Sequence, residues 1–228
     1  MKILLIDTCG ATGSVAIADT GRDPAVIVSA TLPGRTASER LIGAMRELAT
    51  ESEIALHELN AIAVVHGPGS FTGVRMGLSA AKGLCEALGV PLVAISRLAV
   101  LAAIADKPEG GRVWAVLDAG RGECYCGEYK DGERVREALL TREELMGLAW
   151  ESSGRVNAVV VCETGVAETL AELGPRLVGE PGATDALPLA LRRIALKEFD
   201  DVATIDANYL RRTDLEIFAK VKASASAN

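Results

Sequence analysis

"RVWAVLDAG", residues 112–120, has the form of "KILLIDTCG", residues 2–10: a short apolar run, then an aspartate, then turn residues. The likeness continues outward from both stretches. "GSVAIAD" (13–19) and "AVIVSATL" (25–32) read as two further strands after the first, joined by turn chemistry. "ECYCGEYKDG" (123–132) and "RVREALLT" (134–141) read the same way after the second. A helix comes next in each half. Thr36 and Glu39 form a capping box ahead of Leu41, Ile42, Met45, Leu48 and Ala49 at helical spacing, and residues 142–151 supply the counterpart. "AIAVV" (61–65) and "VNAVVVC" (156–162) are the next strands. Residues 73–88 then form a second helix, stopped by Gly89 and Pro91, followed by a strand at 90–96 and a helix at 97–105. The later half continues with a turn at "ETG" (163–165) and a helix over 187–198.

Strand–strand–strand–helix–strand–helix, given twice, predicts two α/β domains related by duplication, each a mixed sheet flanked by helices. "DKPEGGR" (106–112) is the boundary. The expected organisation is residues 1–106, residues 107–219 and a low-complexity, disordered tail at 220–228.

Composition narrows the function. Of 228 residues, 49% are hydrophobic, enough to fill cores, so the chain is not of the disordered class. The formal charge of −7 argues against holding nucleic acid unaided, which needs a basic stripe to displace counterions. Arg211, Arg212, Lys220 and Lys222 are the one notable basic cluster. Five cysteines, none in a CxxC pair, suit reduced thiols in the cytoplasm better than disulfides or zinc. "MKILLIDT" reads as a first strand rather than a secretion signal, and no window reaches the about 18 apolar residues of a membrane span.

"HGPGSFTGVRMG" (66–77) puts four glycines and a proline at the end of a strand. A phosphate cradle, a close helix contact and a tight turn all call for bare backbone. Val74 and Arg75 follow Gly73, so the Lys-Ser/Thr of a P-loop is missing, and the third glycine falls one place late for a dinucleotide fingerprint. No G-x-S-x-G elbow is present, and neither Ser70 nor Thr72 has a base fixed by sequence. His66 beside the loop reads as a capping donor. In the helix that follows, Gly73, Gly77, Ala80, Ala81 and Leu84 recur every three or four residues along one side. Such a stripe lets something approach closely: the protein's own sheet, or a partner's helix.

The element order, with Asp7 and Asp118 each ending a first strand, resembles the actin, sugar kinase and Hsp70 type of fold. That resemblance implies an interdomain cleft faced by both aspartates, which makes Asp7 and Asp118 the candidate nucleotide contacts. "GPGSFTGVR", taken with "ILLIDT…GSVAIAD" and "VLDAGRGECYCGEY", resembles something narrower, the TsaB (YeaZ) family. The similarity covers nearly all of residues 1–130 and returns at "ANYLRR" (207–212), where Ala207 replaces a frequent proline.

The resemblance implies a non-catalytic paralogue of TsaD, the threonylcarbamoyltransferase of tRNA adenosine. TsaD holds its metal with a histidine pair four apart. The matching positions are Arg97 and Leu101, which have no lone pair to give. Implied partners are a TsaD-type transferase and a TsaE-type ATPase, with tRNA reached only through the complex and a second copy of the chain as an alternative mate. The implied contact is a four-helix one using Leu41, Met45, Gly73, Met76, Gly77, Ala80, Ala81 and Leu84. No cofactor of its own is expected beyond a weak or shared ATP/ADP contact. The competing class is an independent ATP-dependent kinase of the same fold.

Overall fold

β1 (Lys2–Asp7) runs antiparallel to β2 (Gly13–Asp19) and parallel to β4 (Ala61–Val65), with Asp7 opposite Ser14 on one side and Val65 on the other. β3 (Val26–Leu32) and β5 (Leu92–Ile95) complete a five-stranded sheet of order β3-β2-β1-β4-β5. These are features of a computed structural model that describes residues 1–34, 37–105, 111–151 and 158–210. The later half repeats the pattern. β6 (Arg112–Gly120), β7 (Glu123–Lys130), β8 (Glu133–Thr141), β9 (Ala158–Val161) and β10 (Arg176–Leu177) form a second sheet ordered β8-β7-β6-β9-β10. β6 is antiparallel to β7 and parallel to β9, as β1 is to β2 and β4. The duplication read from element order is therefore present strand for strand, and the chain has the actin-like mixed-sheet fold.

Burial explains which strands are uninterruptedly apolar. β1 and β4 are covered on both faces, so nearly every residue in them is buried. α1 (Ala37–Glu51) and α2 (Phe71–Leu88) cover one face of the first sheet. α6 (Leu187–Ala195) and the turn at 183–186 cover the other. In the second sheet β6 alternates. Val113, Ala115 and Leu117 pack with α3 (Arg97–Ile104), while Trp114 and Val116 pack towards α4 (Arg142–Glu151) and α5 (Thr164–Thr169). α3 and the 183–186 turn thus sit between the two sheets and tie the halves together.

Several expectations need correcting. "ETG" is not a turn: Thr164 and Gly165 open α5, and β10 was not foreseen. α6 ends at Ala195, three residues early. Ile42 is 52% exposed, and Ala44 takes its place in the core. Thr36 of the capping box, the boundary residues 106–110, positions 156–157 of the expected strand and everything from 211 onward lie outside the described residues. That last group includes the tail and the basic cluster.

Candidate functional site

The glycine loop is built by local hydrogen bonding to the end of β1. Ser70 N donates to Cys9 O (2.8 Å), and Ser70 Oγ accepts from Gly73 N (3.3 Å) as the N-cap of α2. Gly67 adopts φ +107°, a conformation that favours glycine. A Cβ at Gly69 would stand 2.4 Å from Cys9 O. Two amides of the loop, Ser70 N and Gly73 N, are thus turned onto the protein itself. The His66 ring, read from sequence as a cap for the loop, turns instead to the end of β5. Its Nδ1 lies 3.2 Å from Ile95 O, and burial holds its pKa below the usual histidine value.

α2 rides on the same strand end. Thr8 Oγ1 donates to Gly73 O (2.6 Å). A Cβ at Gly73 would lie 2.0 Å from Thr8 O, and one at Gly77 2.3 Å from Thr8 Oγ1. The close approach that the small residues permit is therefore to the protein's own first strand. Of the eight residues assigned to a partner contact, Leu41, Met45, Gly77 and Ala81 are buried in the chain's own core, and Gly73 is pressed against Thr8. This corrects the outward reading of those five. Met76, Ala80 and Leu84 remain partly exposed. Beside them the outer face of α2 carries exposed Thr72, Ser79, Gly83 and Ala87, and that of α1 carries Ile42 and Gly43.

The cleft between the halves has a volume of about 750 Å³ and is lined by Gly10, Ser70, Arg97, Asp118, Glu163 and Glu180, among others. Asp7 is not at its surface. It is 2% exposed, its Oδ1 accepts from Cys9 N (2.8 Å), and burial pushes its carboxyl up to about 6. Asp118 does line the cleft, with its Oδ1 accepting from Gly120 N (2.9 Å). Both repeat aspartates therefore do the same local work: each accepts the amide two residues on and closes the turn after its strand. Asp118 N donates to the Glu163 carboxylate (2.7 Å), and burial raises the Glu163 pKa. Among the described residues, three carboxylates (Asp118, Glu163 and Glu180) and one guanidinium (Arg97) line this cleft.

Arg97 is 4% exposed and pairs with Glu180 at 2.9 Å, while Leu101 is fully buried beside β6. No cluster of three or more metal-ligating side chains occurs among the described residues.

Residues 31–212 match the family model described as "TsaD: tRNA N6-adenosine threonylcarbamoyltransferase". The tRNA threonylcarbamoyladenosine biosynthesis protein TsaB of Escherichia coli is 30% identical over 92% of this chain and 95% of its own. The chain belongs to the TsaB family. The Bacillus subtilis TsaB protein is 33% identical over 66% of this chain and 64% of its own. In three dimensions, YeaZ of Pseudomonas aeruginosa superposes with TM-score 0.75 at 32% identity, covering 92% of this chain and 99% of that one. For a TsaB-family chain, the sequence pointed to α2 and the first strand of each half but missed two features. One is Glu180, in a "GEPG" turn that carries no motif. The other is a cluster formed by Phe71, Arg75 and Tyr209, which joins the "ANYLRR" segment to the start of α2.

Proposed function

We propose that this protein serves tRNA threonylcarbamoyladenosine biosynthesis in the cytoplasm as a non-catalytic subunit. It would pair with a TsaD-type transferase through the outer face of α1 and α2, and work with a TsaE-type ATPase. Family membership supports the pathway. The observation that carries the partner surface is the bareness of that outer face. Ile42 is 52% exposed, and a Cβ at Gly43 or Gly83 would meet nothing within 4 Å. A helix-interior glycine costs about 1 kcal/mol against alanine, and neither glycine has an internal contact that requires it. Backbone left open on adjacent helices suits the close approach of another pair of helices.

The absence of catalysis rests on Arg97 and Leu101, which stand where the resemblance expects metal ligands, and on the acidic cleft. Nucleotide would then enter only as a weak or shared contact within the assembly, and tRNA through the partner. The test is to mix the purified chain with a TsaD-type transferase on a sizing column and assay nucleotide turnover of each sample. A complex, with turnover only in company of the partners, is expected. Magnesium-dependent ATP turnover by the chain alone would establish the kinase reading instead. A dimer of the chain that never yields to the transferase would assign the same face to self-association.

A further inference from the structure

The turn between β1 and β2 carries an anion site, and the protein fills it with its own side chain. Ala11 N donates to Glu180 Oε1 at 2.8 Å, Thr12 Oγ1 lies 3.5 Å from Oε2, and Arg97 Nη2 reaches Oε1 at 2.9 Å. These groups come from three places: the first hairpin, the start of α3 and the loop after β10. Gly10 is part of the design. A Cβ there would stand 2.0 Å from Glu180 Oε1 and 2.8 Å from Arg97 Nη2, so a larger residue would displace the carboxylate from this position. The chain grips the hairpin again three residues on, where Ala183 N donates to Ser14 Oγ at 2.8 Å.

Arg97 shows that the site is built for negative charge. It is 4% exposed, and its Nε has no hydrogen-bond partner among the described residues. A guanidinium buried to that degree needs an anion beside it. Glu180 is the one carboxylate in ion-pair contact with it among the described residues. The carboxylate itself is less enclosed, with its side chain 32% exposed, and it enters from the open cleft. It therefore has a path by which to leave, whereas Arg97 is buried in the fold.

We propose that Glu180 is a built-in ligand, a carboxylate that occupies an oxyanion site made by Ala11 N–H, the Thr12 hydroxyl and Arg97 and so latches the later half of the chain to the first hairpin. With Glu180 removed, the site takes a small external oxyanion of the same chemistry, a carboxylate or a phosphate. In the intact protein such ions compete with Glu180 and find the site filled.

The experiment is chemical rescue of Glu180→Ala, read by thermal melting and by the amide signal of Ala11. In chloride the variant should melt at least about 3 °C below the parent, because Arg97 stays buried after losing its ion-pair contact. Formate at equal ionic strength should restore part of that loss and move the Ala11 amide saturably. Inorganic phosphate in a parallel arm shows whether the site prefers a planar or a tetrahedral oxyanion. The parent protein and Glu180→Gln, in which the space stays filled, should show no saturable response at Ala11. Several results overturn the proposal: an equal response in the parent or in Glu180→Gln, no response to either ion in Glu180→Ala, or a Glu180→Ala chain that fails to fold in chloride, formate and phosphate alike.

Discussion

Gly77 lies against Thr8: a Cβ at residue 77 would stand 2.3 Å from Thr8 Oγ1, the same oxygen that donates to Gly73 O one turn earlier. Glycine here lets α2 settle onto the end of β1. Adding a methyl must lift the helix or displace Thr8. Overpacking of this kind costs about 1–3 kcal/mol, against a gain of about 1 kcal/mol in helix propensity. Gly77→Ala should therefore destabilise the isolated chain by up to about 2 kcal/mol, lowering its melting temperature by up to about 8 °C. The effect should shrink in a Thr8→Ala background, where the obstructing oxygen is gone. Equal effects in both backgrounds would break the assignment.

Asp7 predicts a pH dependence. Burial raises its carboxyl from 3.8 to about 6, opposed by the Cys9 amide and Arg97. The folded state thus binds the proton more tightly than the unfolded chain. Its contribution to stability is complete below pH 3.8 and is lost as pH rises through about 6, a span of roughly 2–3 kcal/mol. Asp7→Asn keeps an acceptor for Cys9 N but cannot ionise. The variant should be the more stable protein at pH 7, with the difference vanishing towards pH 4. His66, held neutral by burial, works in the opposite sense and is present in both proteins, so the difference isolates Asp7. A difference that does not change with pH contradicts the prediction.

The repeat was legible because it is written in backbone periodicity. Apolar runs, turn residues and caps recur in order, and two sheets of equivalent strand order follow from them. What could not be read was which way a small-residue stripe faces. Gly73, Gly77 and Ala81 share a helix side with Ala80 and Leu84, and spacing alone does not say whether a strand or a solvent-exposed partner lies opposite. Asp7 was misplaced for a similar reason: a strand-end aspartate can point into a cleft or close its own turn, and the choice depends on where Cys9 N ends up. Glu180 was invisible because the groups that recognise it are 169 and 83 residues away in sequence.

Residues 203–209 run back along α2. Lys82 Nζ donates to Ile205 O (3.0 Å), Asn208 N to His66 O (2.8 Å) and Arg75 Nε to Tyr209 Oη (2.7 Å). The Tyr209 ring stacks on Phe71 at 5.7 Å, and the Arg75 guanidinium lies 3.8 Å over the Phe71 ring. Tyr209→Phe removes the exposed hydrogen bond from Arg75 and should cost about 1 kcal/mol. Tyr209→Ala also removes the ring and should cost about 2 kcal/mol. Because the effect is local, hydrogen exchange at the Asn208 amide should accelerate more than exchange in β1 or β4. Equal acceleration throughout would mean that the segment is not an independent strap.

Gly83 separates the partner surface from the core. It sits on the outer side of α2, exposed, with nothing within 4 Å of a Cβ position, whereas Gly77 on the inner side is already crowded by Thr8. Gly83→Gln should leave the isolated fold intact and raise its stability by roughly 0.5–1 kcal/mol through helix propensity. If α2 meets a partner helix at this face, the same side chain enters a space where backbones nearly touch. Overpacking by about 1–3 kcal/mol corresponds to a loss of about five- to a hundredfold in affinity. The measurement is a pair: the melting temperature of the variant alone, and its binding to a TsaD-type transferase. A concentration series on the variant alone checks for a self-dimer through the same surface. A steady or raised melt with weakened binding supports the outer face of α2 as the contact. Unchanged binding removes it, and leaves Gly43 and Gly83 as two glycines with no structural reason to be there.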